Sequence, residues 1–255
     1  MKELERQLKD LLIKSGSDSE TIKTIQAEES IAPFSTANRL MAYLLATGKI
    51  GYADYKQLSD EFLKRYHQQN QYLYLFDMAP RTFGQTWGET HIRNLFPQFQ
   101  KATKENLIHV YPDFDGEFDL WIDRIRVEVK ACRANSTTST GTLASRAYSH
   151  AEAKHVNFKY HYQQLKPSCC DVFIWIGVCR DELIYWVLTS DELVKTGKLG
   201  SQHRNVNTGV AGAGVFEGQV FMTEDELKSF LVDESDILMR VREKGKGCAN
   251  HSPSH

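Results

Sequence analysis

Apolar residues in the first third of the chain recur at the spacing of an α-helix. Residues 4–12 show this period, and it returns at 40–45 and across the amphipathic segment 53–69. Gly48 and Gly51 separate the last two segments. The pattern therefore predicts a helical region over residues 1–80.

A further helix is predicted over residues 86–96. Ile92 and Leu95 fall at helical spacing, and Pro97 ends the segment because proline cannot continue a helix. Glu89 lies near the start of this helix.

The period changes to two in residues 118–130, where apolar and polar residues alternate. The apolar members are Phe118, Leu120, Ile122, Ile125, Val127 and Val129. This alternation predicts an amphipathic β-hairpin with its turn at Asp123–Arg124. All six apolar side chains are then expected on one face, toward the core, and the polar face is expected to form a site.

The register of this hairpin brings acidic residues together. With a two-residue turn, Asp119 lies opposite Glu128 and Glu117 lies opposite Lys130, each pair about 5 Å apart. Two facing carboxylates repel each other, which raises a pKa or requires a cation. Carboxylate oxygens suit Mg²⁺, for which Mn²⁺ can substitute.

The segments after the hairpin predict an α/β fold with a mixed central β-sheet flanked by helices. Residues 148–164 are predicted to be helical, and the apolar runs DVFIWIGV and LIYWVLT to be strands. A short strand near Val220 and a final helix from Thr223 follow. The predicted domains are a helical region (1–80), a core (81–240) and a disordered tail (241–255).

Composition narrows the class of protein. The 255 residues are 41% hydrophobic and carry a formal net charge of -2, which excludes a histone-like basic protein. The five cysteines form no C-x-x-C pair, and no apolar stretch approaches the roughly 20 residues that cross a bilayer. We expect a soluble cytoplasmic protein without a membrane partner.

The residues of the hairpin resemble the PD-(D/E)-x-K nuclease superfamily, in which type II restriction endonucleases are nearest in size. The match consists of Asp119, the sequence Glu128-Val129-Lys130, and Glu89 on the preceding helix, within residues 85–190. The resemblance implies that Asp119, Glu128 and Glu89 bind the metal and that Lys130 orients the attacking water.

One feature departs from the family pattern. Asp119 lacks a preceding proline, and a literal Pro112-Asp113 lies upstream. Asp113 is therefore the alternative to Asp119, should the turn be longer than two residues.

The resemblance implies a restriction-endonuclease-like core that cleaves double-stranded DNA at specific sites with Mg²⁺. Palindromic targets imply a homodimer, with the helical region gripping DNA or forming the dimer interface. The alternatives are a repair or recombination nuclease with the same core, and a non-catalytic DNA-binding module. In the module, Lys130 would pair with Glu117 as a surface charge, and Glu89 could pair with Arg93.

Polar residues in two later segments are candidates for DNA contacts, although plain loops are the alternative. The first group follows the Glu-x-Lys strand and suits phosphate binding. The second group suits contacts to base edges. The candidates are Arg133, Asn135, Ser136 and Arg146 in the first group, and Gln202, His203, Arg204 and Asn205 in the second.

Overall fold

The computed structural model describes residues 2–27, 36–201 and 216–248. The chain forms two compact units that divide between Gln71 and Tyr72, upstream of the expected boundary at residue 80. The difference arises because Tyr72 already belongs to the second unit. Its N–H donates a hydrogen bond to the Arg180 carbonyl (2.9 Å), and Leu75 and Phe76 are buried in the second unit's core.

The first unit is helical in its described part, as the sequence pattern predicts. Its helices are α1 (Lys2–Lys14), α2 (Ser19–Ala27), α3 (Thr36–Ala46) and α4 (Tyr52–Gln69). Their buried stripes form one apolar core around Leu8, Leu40 and Met41, to which α4 contributes Phe62. A role for this unit in gripping DNA or in dimerisation stays a prediction.

The second unit is built on a mixed sheet, which confirms the predicted α/β class. Its described strands are β1 (Gln100–Lys101), β2 (Leu120–Ile122), β3 (Ile125–Arg133), β4 (Lys159–Leu165), β5 (Val172–Val178), β6 (Leu183–Thr189), β7 (Gly200–Ser201), β8 (Gly218–Thr223) and β9 (Leu231–Val232). Six of them form a sheet in the order β1-β2-β3-β5-β6-β9. Within it β3 and β5 are parallel, and the other described neighbours are antiparallel.

Strands β4, β8 and β7 form a second, antiparallel sheet. The prediction of a helix over 148–164 is therefore wrong for the residues of β4. Only His150–His155 is helical there, and the chain then enters β4. The pattern of burial in β4 has a period of two, with Tyr160 and Tyr162 buried and Lys159 exposed. Packing of these two tyrosines against the first sheet outweighs local helix propensity.

The described part of the second unit contains eight α-helices. They are α5 (Tyr74–Asp77), α6 (Pro80–Thr82), α7 (Gly88–Leu95), α8 (Lys104–Leu107), α9 (His150–His155), α10 (Ser190–Lys195), α11 (Glu224–Leu227) and α12 (Ile237–Cys248). A five-residue π-helix, Phe83–Trp87, leads directly into α7. None of the helices in the described ranges is long and apolar enough to cross a membrane.

The C-terminal part differs from its prediction in two ways. The helix expected from Thr223 is interrupted after α11 by β9, and α12 then extends to Cys248, beyond the residue 241 where a tail was expected. Val241 of α12 is buried in the core. Gly245 of the same helix packs closely on Ile125, because a Cβ added at Gly245 would lie 2.4 Å from the Ile125 side chain. Residues 249–255 lie outside the described ranges.

Apolar cores cover both faces of the six-stranded sheet. Leu120, Val127 and Val129 enter the core on the α7 side. Phe173 and Trp175 of β5 enter the other core, which the second sheet closes. The polar face of the hairpin is therefore largely covered rather than open to solvent, and Glu128 is only 8% exposed.

Candidate active site

The hairpin turns at Asp123–Arg124, as the sequence predicts. Ile122 pairs with Ile125 and Leu120 pairs with Val127, which fixes a two-residue connection. Asp123 and Arg124 have positive φ angles of 50° and 66°, the combination that a type I′ turn requires. The turn forms although Asp-Arg is not a preferred dipeptide for it.

Asp119 lies immediately before β2 and binds the backbone of β3. Its N–H donates to the Val127 carbonyl (3.1 Å), and its Oδ2 accepts a 2.8 Å hydrogen bond from the Val129 N–H. The regular ladder begins at Leu120, so Phe118 leaves the alternation and packs into the core on the second-sheet side. The expectation that all six apolar residues share one face is thus wrong for Phe118.

Glu128 and Lys130 form an ion pair on the second-sheet side of β3. Lys130 Nζ contacts Glu128 Oε1, and the two side chains are 18% and 11% exposed. Glu117 accepts instead from the Asp115 N–H at 2.8 Å. The alternative pairing of Lys130 with Glu117 is therefore wrong.

Burial and charge act together on the two groups. Burial raises the pKa of Glu128 to about 7; the negative charge of Asp119 adds to this rise, and the positive charge of Lys130 opposes it. Burial alone would lower the pKa of Lys130, but the carboxylates of Glu128 and Asp119 raise it above its ordinary value. Lys130 therefore keeps its proton at neutral pH.

Glu89, on α7, is influenced electrostatically by Asp119 and Lys130. Helix α7 approaches the sheet at Gly88, where an added Cβ would lie 3.2 Å from Val129. Glu89 Oε2 lies 3.3 Å from Lys101 Nζ, so its partner is Lys101 rather than Arg93. Burial and the charge of Asp119 raise the pKa of Glu89, and Lys101 opposes the rise.

The three carboxylates are the type of ligand that a hard divalent cation prefers. Glu89, Asp119 and Glu128 are carboxylates, and mutual repulsion contributes to the raised pKa values of two of them. Over the described ranges, no three His, Cys, Asp or Glu side chains converge closely enough to form a ready-made metal cluster. Two of the three carboxylates instead contact lysines, Glu89 with Lys101 and Glu128 with Lys130.

Asp113, the alternative to Asp119, is exposed. The carboxylate whose charge acts on both Glu89 and Glu128 is Asp119. Because the turn has two residues, the condition that would have favoured Asp113 is not met.

Arg133, a candidate DNA contact, binds the protein's own backbone. Its Nη1 donates to the carbonyls of Leu75 (3.1 Å), Phe76 (3.4 Å) and Met78 (2.9 Å). Its guanidinium lies 4.4 Å from the ring centroid of Phe83. These contacts give Arg133 a structural role at the junction with the π-helix.

The other described candidates organise the loop after β3. Ser136 is buried, and its Oγ accepts from the backbone N–H groups of Thr138 and Ser139. Arg146 donates to the Ser136 carbonyl at 3.1 Å, and Asn135 donates to the same carbonyl at 3.2 Å. Gln202, His203, Arg204 and Asn205 lie outside the described residues.

Sequence reasoning missed Lys101 and Lys166, whose charges both act on this cluster. Lys101 contacts Glu89, and Lys166 lies in the electrostatic environment of Glu128. Each is distant in sequence from its neighbour in the site, and no local motif marks either one. Lys101 lies on β1 and Glu89 on α7, whereas Lys166 follows β4 and Glu128 lies on β3, so each interaction joins two different elements.

Comparisons with protein-family models, with curated proteins and with solved structures give no match to this chain.

Proposed function

We propose that this protein is a Mg²⁺-dependent endonuclease that cuts double-stranded DNA at specific sites, in the manner of type II restriction enzymes. The observation that carries the proposal is the buried Glu128–Lys130 pair, with Asp119 and Glu89 in its electrostatic environment. The mixed sheet and the tight hairpin support a restriction-endonuclease-like core for the second unit.

The carboxylates of Asp119, Glu128 and Glu89 would hold the metal. Bound Mg²⁺ would lower the pKa of a coordinated water and stabilise charge on the phosphate. Asp119 is held in position by the Val129 N–H, which comes from the strand that carries Glu128 and Lys130. Residues 128–130 of β3 thus position Asp119, Glu128 and Lys130.

Lys130 acts as a fixed positive charge in this proposal. Because its pKa is raised, it remains an ammonium and does not serve as a general base at neutral pH. An ammonium beside the scissile phosphate stabilises the charge that develops during in-line displacement. Its contact with Glu128 holds it beside the carboxylates.

Double-stranded DNA, a second copy of the chain and a cytoplasmic location complete the proposal. A palindromic target has two equivalent strands, and a symmetric dimer places one active site on each.

The test is incubation of the full-length protein with unmethylated phage DNA and Mg²⁺, followed by sequencing of the fragment ends. Discrete fragments with one common end sequence, lost when EDTA replaces Mg²⁺, are expected. Cutting confined to nicks, mismatches or junctions would instead indicate a repair nuclease. Binding without any cutting under Mg²⁺ or Mn²⁺ would indicate a non-catalytic module.

A further inference from the structure

The second sheet contributes a lysine–glutamate pair on the Glu128 side of β3. Leu165, at the end of β4, pairs with Gly218 at the start of β8. Lys166 directly follows β4 and Glu217 directly precedes β8, and Lys166 Nζ lies 3.4 Å from Glu217 Oε1. The cross-strand register thus positions both side chains.

Lys166 is tied to the strand next to β3. Its carbonyl accepts from the Cys169 N–H at 2.9 Å and lies 3.9 Å from the Cys170 Sγ, in the short connection that leads into β5. Strand β5 pairs in parallel with β3, with Phe173 opposite Glu128. This connection ties the backbone of Lys166 to the start of β5, the strand that pairs with β3.

Charge and exposure separate Lys166 from an ordinary surface lysine. Its side chain is 18% exposed, the same fraction as that of Lys130, and its partner Glu217 is 16% exposed. Burial raises the pKa of Glu128, and Lys166 joins Lys130 in opposing that rise. Lys166 is therefore a half-buried lysine whose positive charge acts on Glu128 from the second-sheet side of β3.

We propose that Lys166 binds a phosphate of the DNA backbone at the active site and that Glu217 pairs with its ammonium when no DNA is bound. The inference rests on the proposed nuclease function. It gives the phosphodiester backbone a contact to Lys166 that is separate from the role of Lys130. An ammonium is a compact point charge with three donors, which suits a phosphate oxygen. The cluster is rich in carboxylates, so a second cation lowers the repulsion that an approaching phosphate meets.

The test measures binding of a fluorescein-labelled DNA duplex of mixed sequence to the full chain, in EDTA, over a range of salt concentrations. Lys166→Met should weaken binding roughly tenfold at low salt. It should also reduce the slope of log K against log salt by about 0.9, the value for one phosphate contact. Lys166→Arg, which keeps the charge, should retain both the affinity and the slope.

Lys244→Met is the matched control. Lys244 is 16% exposed and forms an ion pair with Glu192, joining α12 to α10 outside the candidate site. This variant should leave the affinity and the slope unchanged. Equal affinities and slopes for Lys166→Met and Lys244→Met would overturn the proposal.

Glu217→Gln keeps the proposal testable if Lys166→Met does not fold. Loss of the glutamate charge removes a competitor for the ammonium, so DNA binding should tighten severalfold; unchanged or weaker binding would contradict the assignment. Because these measurements are made without metal, they are independent of cleavage. A wild-type protein that binds DNA through Lys166 but never cuts it would overturn the nuclease function while leaving the phosphate contact intact.

Discussion

The backbone N–H of Val129 donates a 2.8 Å hydrogen bond to Oδ2 of Asp119. This bond anchors a side chain that lies one residue before the regular ladder of β2. Val129 lies between Glu128 and Lys130, so the position of Asp119 depends directly on the strand that carries the other two groups. The positions of Asp119, Glu128 and Lys130 are therefore coupled through Val129.

Glu89→Gln should weaken Mg²⁺ binding without changing the fold. Loss of one of the proposed carboxylate ligands should raise the Mg²⁺ concentration for half-maximal cleavage by at least roughly tenfold, the lower range of losses seen when only an outer-shell partner is removed. Glu105→Gln, an exposed carboxylate on α8, is the control and should leave that concentration unchanged. A Glu89 variant with the wild-type Mg²⁺ requirement would remove Glu89 from the site.

Arg133→Met should destabilise the protein, because Arg133 donates to three backbone carbonyls and stacks on Phe83. Loss of such charged hydrogen bonds costs about 1.5–3 kcal/mol in the free energy of unfolding. Urea denaturation of the variant and of wild type measures the difference. If Arg133 were chiefly a DNA contact, the variant would lose DNA affinity and keep its stability.

Gly177→Ala should destabilise the second unit by overpacking. An added Cβ would lie 2.7 Å from the rings of both Trp186 and Tyr160, which are buried. Overpacking of this kind costs about 1–3 kcal/mol. Gly84→Ala is the control, because nothing lies within 4 Å of its added Cβ. Equal urea midpoints for the two variants would contradict this account of the core.

His150 should make stability depend on pH. Its Nδ1 lies 2.7 Å from Glu182 Oε2 and its Nε2 lies 2.7 Å from Glu224 Oε2. Burial lowers the pKa of His150, but the hydrogen bonds to Glu224 and Glu182 outweigh this effect and raise it above 6.5. The stabilisation is therefore fully present below about pH 6.5, while the glutamates stay ionised, and is lost as pH rises through the folded-state pKa.

The measurement compares the free energy of unfolding of wild type and His150→Gln by urea denaturation at about pH 6 and about pH 9. The advantage of wild type should be larger at the lower pH. Lys154, which lies 3.5 Å from Glu224, and Asp181, which accepts the His150 N–H, face the same group and are unchanged in the variant. His155→Gln, at an exposed position of α9, should show no such dependence, and an advantage equal at both pH values would reject the linkage.

The hairpin could be predicted from the sequence because its determinants are local. A period of two and a short turn fix which residues pair, and the register follows from counting. This reasoning fails at Phe118, which lies outside the paired residues of the hairpin. Its side chain packs into the core on the second-sheet side, and tertiary contacts rather than the alternation decide its direction. The same limit explains β4, where the buried faces of Tyr160 and Tyr162 depend on a second sheet that no local pattern indicates.

The lysines around the site could not be predicted for a related reason. Lys101 of β1 contacts Glu89 of α7, and the charge of Lys166, which follows β4, acts on Glu128 of β3, so both interactions depend on the tertiary fold. Arg133 illustrates the opposite error. Its position shortly after the Glu-x-Lys segment predicts a phosphate contact. In the structure its guanidinium instead donates to the carbonyls of Leu75, Phe76 and Met78.

Single-turnover cleavage of phage DNA by wild type, Asp119→Asn and Asp113→Asn tests the central claim most directly. Asparagine at 119 keeps an oxygen that can accept from the Val129 N–H, so the variant should fold and bind DNA. It should nevertheless lose at least about 10²-fold in the Mg²⁺-dependent rate, the scale of loss for an electrostatic group acting on the transition state. Asp113→Asn should cut like wild type. Full activity of Asp119→Asn, or loss of activity only in Asp113→Asn, would contradict the assigned site.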